Sequence, residues 1–450
     1  VGSWDVPAFI LGYVLFEEAS DTPNSLTNLF GKIGMLQVNT AIEKVTLYDG
    51  VKYKPAQDAT LLISGEKIAY AGPHSKAPAY QAQAALDGKG LFALPGLIDL
   101  HVHGLVDGRT LGSFLQNGVT TIRDLASDPF EALAWKAREQ SGLIASPRIF
   151  VSGPVLTCHK GYPENVWGPK VAASIQGRYQ AQDKVKRLAG LGMDVIKIGM
   201  EHELGPCLSE TEVAGIVNAA HSLGKRVTAH ITSEEDFEAC LKGGVDEVAH
   251  MPSRPVSDEL WEEAVKKNIL ILPTLHAHAG WAEEWKRRGD HPFGQFCQHG
   301  FRAGHHQSQK NLERFLSLGG RVAYGTDAGN PHMPFGVAVK EWKDLQSAGL
   351  SPGQCLEMAT RAAAKVLGAE DKLGTLEKGK FADLGLYQHD PLKDAQNFRT
   401  LQLVFKGGRP HSPGPLEFPK PFDLDFWIHQ WEKTRFKTGW QESAGARKNG

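Results

Sequence analysis

The sequence predicts an α/β protein: a (β/α)8 TIM barrel with a small β-sandwich domain built from the segments on either side of it. Three observations predict this fold. Short apolar runs alternate with amphipathic helical ones across the middle of the chain. Strand-rich segments of similar character stand on both flanks. Histidine, lysine and aspartate recur at the ends of the strand-like runs, which is where a barrel carries its functional groups.

Residues 1–40 show no clear pattern and are expected to be an N-terminal extension. The small domain is assigned residues 41–95 and 369–410. KVTLYDG, ATLLISGEKIAYAG and GLFALPG come from one side, GTLEKGKFADLGLY and LQLVFKGGRP from the other. The barrel takes residues 96–368. Its strands are read as GLIDLHVH, VTTIRDL, PRIFVSG, DVIKIGM, RVTAHI, DEVAHM, LILPTL and RVAYGTDAG. Between them lie helical runs such as DPFEALAWKAREQSG, TEVAGIVNAAHSLG, SDELWEEAVKKN and NLERFLSLGG. In the last, SPGQCLEMATRAAAKVLG, Ser351 is the expected N-cap and Pro352 the first helical residue. The connection from His276 to His306 is too long for an ordinary loop and reads as a lid or rim over the barrel mouth. Residues 411–450 carry Trp427, Trp431 and Trp440 and are expected to be a tail packed on the body.

Six residues then stand out: His101 and His103 in LPGLIDLHVHG, Lys197 in DVIKIGM, His230 in RVTAH, His250 in DEVAH and Asp327 in RVAYGTDAG. Imidazole and carboxylate are the usual nitrogen and oxygen ligands of zinc and similar ions. Side chains alternate along a strand, so His101 and His103 leave the same face and can share a metal. The six fall at the ends of strands one, four, five, six and eight, so a barrel would bring them together at one mouth.

On these residues the chain resembles the amidohydrolase superfamily. HVH after strand one, a strand-four lysine, single histidines on strands five and six, and GTDAG on strand eight follow its pattern. So do the split β domain and the closing GTLEKGKFADLGLY. The resemblance is nearest to imidazolonepropionase-like members, which include Xaa-Pro dipeptidases and other metal peptidases. It implies a binuclear centre of two divalent metal ions, usually zinc. His101, His103 and Asp327 would hold one ion, and His230 and His250 the other. Lys197 would bridge them as N6-carboxylysine, since a free ammonium would repel two cations. The implied catalysis is attack by a metal-bridging hydroxide on a carbon–nitrogen amide bond, with Asp327 as general acid and base. The implied substrate is a dipeptide or N-acyl amino acid.

The same residues have rival readings. A cyclic-amide hydrolase or a deaminase is one; deaminases of this superfamily carry an H-x-x-E acid, whereas here Glu234 follows His230 by four positions. An esterase, lactonase or phosphotriesterase is another, because the same metal centre attacks those groups. A non-catalytic binding protein is the third, though such a protein is expected to have lost a ligand. His159 after strand three is a candidate substrate contact or simply a rim histidine. His276 and His278 could also face substrate, or belong to a solvated, histidine-rich lid. Arg123 and Asp124 could support the metal ligands as a pair or form a purely structural ion pair. Cys158 lies near the expected mouth with nothing to mark it as a nucleophile.

Composition narrows the partners. At 450 residues the chain can bury a large core. A formal charge of -2 gives no electrostatic reason to expect nucleic acid or an anionic membrane. Cys158, Cys207, Cys240, Cys297 and Cys355 are dispersed and odd in number, which reads as reduced thiols rather than a disulfide framework. No segment reads as a membrane span. The expected partner is a small amide or dipeptide, and the resemblance is compatible with a homo-oligomer. The expected location is cytoplasmic, with export or a periplasmic form after removal of an N-terminal segment as the alternative.

Overall fold

The computed structural model describes residues 35–429 apart from Tyr53 and Val106, together with Glu432. Residues 1–34 of the expected extension, and Trp431 and Trp440 of the expected tail, lie outside the described residues.

The flanking strands form one sheet of eight. From one edge it runs Arg409–His411, Leu401–Lys406, Leu384–Tyr387, Phe92–Pro95, Leu36–Leu47, Ala56–Ser64 and Lys67–Pro73, with Tyr80–Asp87 parallel to Leu36–Leu47. The two flanking segments meet where Phe92–Pro95 pairs antiparallel with Leu384–Tyr387. The strand Leu36–Leu47 starts inside the stretch expected to be an extension. It pairs with Tyr80–Asp87 through residues 36–43 and with Phe92–Pro95 through residues 46–47, its register shifting in between. That irregularity bends the strand and joins what the sequence suggested as a sandwich into a single hydrogen-bonded sheet. Ile42, Val45, Leu61, Leu384 and Phe405 form the core of one face, and Val38, Ala41 and Leu62 a smaller cluster elsewhere.

The middle of the chain is a TIM-barrel-like core of parallel strands. Leu97–Val102, Val119–Asp124 and Arg148–Val151 make a sheet of three. A sheet of seven follows, in the order Ala172–Ile175, Val155–Cys158, Ile196–Gly199, Val227–His230, Glu247–Ala249, Leu270–Leu272 and Arg321–Val322. The first strand is hydrogen-bonded to the segment after the last: Leu100 N–H to Tyr324 O at 3.1 Å, Asp327 N–H to His101 O at 2.8 Å, His103 N–H to Ala328 O at 2.7 Å. Each of the eight expected strands is present. Val155–Cys158 and Ala172–Ile175 are additional and follow the third.

Helical segments behave as their sequences suggest, with two instructive departures. Ser209, Ser233 and Ser351 each cap a helix with a reciprocal carboxylate or amide three residues on. The last helical run is split into Pro352–Met358 and Arg361–Val366, because the Ala359 carbonyl accepts from Ile98 N–H on the first strand. The stretch from His276 to His306 is no open loop. It holds the helices Leu275–Lys286 and Pro292–Ser317, the second capped by His291 and opened by Pro292. Among the described residues no helix is long and apolar enough to cross a membrane.

Candidate metal centre

The strand ends deliver all six singled-out side chains to one cavity of about 560 Å³. His101 is 1 % exposed, and its ring centroid lies 5.1 Å from that of His103 and 4.8 Å from that of His250. The His230 and His250 rings are 4.6 Å apart. Asp327 Oδ1 is 3.0 Å from His103 Nε2 and 3.3 Å from His101 Nε2. Two of these positions depart from ordinary backbone: His250 has φ 78 and Asp327 φ 61, left-handed values uncommon for non-glycine residues. Gly329, at φ +111, could not carry a Cβ, which would lie 2.6 Å from the His103 carbonyl. The glycine of GTDAG thus lets the Asp327 turn close on the HVH strand.

The electrostatics are those of buried basic nitrogens gathered around the Asp327 carboxylate. Burial lowers the pKa of His101 and His250 well below that of a free imidazole and takes His230 to about 3, so all three rings stay neutral. Burial works to raise Asp327, but His250, His103 and Lys197 around it outweigh that and hold it ionised. His101 Nδ1 is buried without a hydrogen-bond partner, and His101 Nε2 meets only Asp327 Oδ1, at 3.3 Å. Orphaned polar atoms at this depth are costly unless something else satisfies them. Ligand atoms of His101, His250 and Asp327 all lie within 4.8 Å of one another. Neutral imidazole nitrogens and a carboxylate so gathered fit a divalent cation. Around them, His250 Nδ1 is hydrogen-bonded to Thr274 Oγ1 at 2.6 Å, which orients the ring. Asp99, fully buried and raised to about 7 mainly by desolvation, accepts from Thr326 Oγ1 at 2.6 Å and from the Thr326 and His101 backbone N–H groups.

The cofactor expectation needs correction. Among the described residues, the groups that could hold an ion are His101–His250–Asp327, His202–Cys207–Asp236 and His276–His305–Asp344. None takes in Lys197, and the first cuts across the expected division of ligands between two ions. Lys197 is 2 % exposed, with no hydrogen-bond partner for Nζ. Burial brings its pKa down to about 7, although Asp327 pulls the other way. The zinc pair bridged by N6-carboxylysine at Lys197 is therefore set aside.

The expected substrate contacts divide. His278 lines the cavity beside Trp281. His276 is not among the cavity residues; its Nδ1 and the His305 Nε2 both approach Asp344 Oδ2, at 2.8 and 2.9 Å, between three helices. His159 does not line the cavity either; its side chain is 60 % exposed and 3.8 Å from Glu164. Arg123 pairs not with Asp124 but with Glu247, at 2.6 Å, both fully buried. Glu234 turns away to accept from the Ser257 backbone N–H and hydroxyl. Cys158 Sγ lies 2.8 Å from the Pro206 carbonyl, and desolvation raises its pKa, so it is no activated thiol.

Sequence reasoning passed over Glu201 and Tyr162. Glu201 follows the strand of Lys197 and is 4 % exposed. Desolvation raises its pKa to about 7, and its Oε2 lies 3.3 Å from His230 Nε2. Tyr162 lies over the His230 ring at 4.4 Å between centroids. An acidic residue four positions after Lys197 was the one available signal for Glu201. Tyr162 had none, because its loop reaches the site only through the fold.

Comparison with known proteins agrees with this geometry. The sequence model of the amidohydrolase family matches residues 92–409. A 5-methylthioadenosine/S-adenosylhomocysteine deaminase of Desulforudis audaxviator is 24 % identical over 386 residues, covering 76 % of this chain and 84 % of the relative. Among solved structures, a Xaa-Pro dipeptidase with bound methionine superposes with a TM-score of 0.74 at 24 % identity, covering 83 % of this chain and 99 % of that one. Ochratoxinase of A. niger does so with a TM-score of 0.70 at 23 % identity, covering 83 % and 96 %. At such identities the structural likenesses speak for the fold, while the family match spans most of the chain. With its strand-end histidines and aspartate gathered in one cavity, the chain belongs to the amidohydrolase family.

Proposed function

We propose that this protein is a metal-dependent hydrolase of the Xaa-Pro dipeptidase-like branch that cleaves a carbon–nitrogen amide bond, in a dipeptide or N-acyl amino acid. The observation that carries the reading is that ligand atoms of His101, His250 and Asp327 lie within 4.8 Å of one another, with His101 Nδ1 buried and unpaired beside them. A divalent cation held there would acidify a water molecule and polarise the scissile carbonyl. The chain's own residues supply the rest. Asp327, held ionised, is placed to take a proton from the attacking water and return it to the departing nitrogen, which an amide needs before it can leave. His103, 3.0 Å from the same carboxylate oxygen, fixes its direction. Glu201 and Thr274 set the rings of His230 and His250. His278 stands over the cavity as a hydrogen-bonding group for the substrate, its pKa lowered by burial to about 4 and its ring neutral.

A deaminase is the principal rival, given the names of the sequence relatives. Glu234 speaks against it, since it faces Ser257 rather than the cavity. The test is turnover of matched amide, ester and phosphotriester substrates and of an aminopurine, before and after chelation. Amide cleavage that is lost with chelator and restored by added divalent cation supports the reading. Ammonia release from the aminopurine without amide cleavage overturns it.

A further inference from the structure

Away from the strand ends the cavity changes character. Trp167, Trp281, Phe301, Phe422 and Trp427 form its outer wall. Trp281 stacks on Phe301, centroids 5.8 Å apart and planes at 18°. Phe422 meets Trp281 edge-on at 4.8 Å and Trp167 at 5.5 Å, and Trp427 meets Trp167 at 5.9 Å. Trp281 Nε1 donates to Asn330 Oδ1 at 3.2 Å, three residues beyond Asp327, which ties the wall to the strand-eight turn.

Two of these rings come from the C-terminal tail, and the tail is fastened where it delivers them. Phe422 N–H donates to Glu284 at 3.0 Å, and Arg287 donates to the Phe422 carbonyl at 2.9 Å. Leu424 and Ile428 are buried against Trp285, and Arg288 pairs with Asp425 at 3.2 Å. Glu284 is 3 % exposed, so this is a built joint rather than a loose surface contact. Trp167 keeps 39 % of its surface exposed.

Charge is distributed as unevenly as the aromatic rings. Among the described residues that line the cavity, the acidic groups are Glu201 and Asp327 and the one lysine is Lys197, all at the strand-end floor, and no arginine is present. The outer wall therefore offers flat π-faces and no counter-charge.

We propose that the substrate carries a flat, uncharged aromatic group at the end remote from the scissile bond, held in this wall, with Phe422 and Trp427 of the tail as specificity-determining residues. The inference rests on the amide-hydrolase reading of the strand-end floor and specifies which amides it takes. A cavity of about 560 Å³ accommodates a substrate with one or two rings besides the amide. A carboxylate or ammonium at the remote end would have to be desolvated against indole and phenyl rings without a partner.

The test is a series of amides identical at the scissile bond, ending in acetyl, naphthoyl or carboxynaphthoyl. The naphthoyl amide is expected to have a kcat/KM about a hundredfold above the acetyl amide, carried mainly by KM, and the carboxynaphthoyl amide to fall back to the acetyl level. Phe422→Ala and Trp427→Leu should each lower the naphthoyl-to-acetyl ratio about tenfold. Trp427→Leu keeps an apolar group and guards against simple collapse of the tail, and melting curves report folding of both variants. Naphthoyl-amide binding, read by tryptophan fluorescence quenching, tests the wall without turnover. Binding that weakens in both folded variants supports the aromatic wall even if no amide is cleaved, and that second result would count against the hydrolase reading alone. Equal binding and turnover of acetyl and naphthoyl amides overturns the inference while leaving amide hydrolysis intact.

Discussion

Glu201 Oε2 lies 3.3 Å from His230 Nε2 and accepts a 2.6 Å hydrogen bond from Thr232 Oγ1, so a carboxylate from one strand end steers the histidine of the next. A partner of this kind affects how well a ring is presented to a metal. Glu201→Gln is expected to weaken divalent-metal affinity by about 10–100-fold with the fold intact. Calorimetric titration of metal into the stripped protein measures this, and unchanged affinity would remove Glu201 from the centre.

Asp327 is the proposed proton carrier, and its substitution separates that role from packing. Asp327→Asn keeps the shape but can neither take nor return the proton. Amide turnover should fall by about 10²–10⁴-fold, with the circular dichroism spectrum preserved. Residual activity within a few-fold of wild type would move the acid–base role elsewhere.

Arg123 and Glu247 form a buried ion pair at 2.6 Å inside the parallel strands, and Arg123 Nε also donates to the Leu100 carbonyl at 2.8 Å. Removing one partner leaves the other charge buried and uncompensated. Glu247→Ala is expected to cost about 3–5 kcal/mol in urea unfolding. A loss near zero would mean that water reaches Arg123.

Asp236 has no exposed surface and accepts from the backbone N–H groups of His202, Thr232 and Ser233 and from the Ser233 hydroxyl. Burial works to raise its pKa, but the His202 and Ser233 hydrogen bonds outweigh it and hold the pKa below the ordinary carboxylate value. With the folded pKa depressed, its stabilisation is full above an unfolded value of about 3.9 and is lost as pH falls through the folded one. The melting temperature of wild type should therefore drop more steeply than that of Asp236→Asn below about pH 4. Parallel curves for the two proteins would contradict this.

What was legible in the sequence is what repeats locally. Short apolar runs and flanking turns mark the eight barrel strands, and the six chemical residues stand out because each ends such a run. Of the helix Pro292–Ser317 only the NLERFLS end was legible; its first part was hidden by Gly294, Gly300 and Gly304 and by its many histidines, which blur the apolar stripe. Contacts across the fold left no local trace at all. Arg123 finds Glu247 rather than its neighbour Asp124 because adjacent strand residues point to opposite faces. The aromatic wall unites residues from Trp167 to Trp427, and only folding brings them together.

The pairing of Phe92–Pro95 with Leu384–Tyr387 joins segments about 290 residues apart in the chain. During synthesis the first of these strands leaves the ribosome long before its partner exists. The whole parallel core can form while the early half of the sheet waits with an unpaired edge. Arrival of the second half then clasps the barrel from outside. A chain stalled before residue 384 should thus hold a nearly finished strand-end floor beside an exposed, aggregation-prone strand, which makes closure of the sheet a late checkpoint of the molecule's assembly.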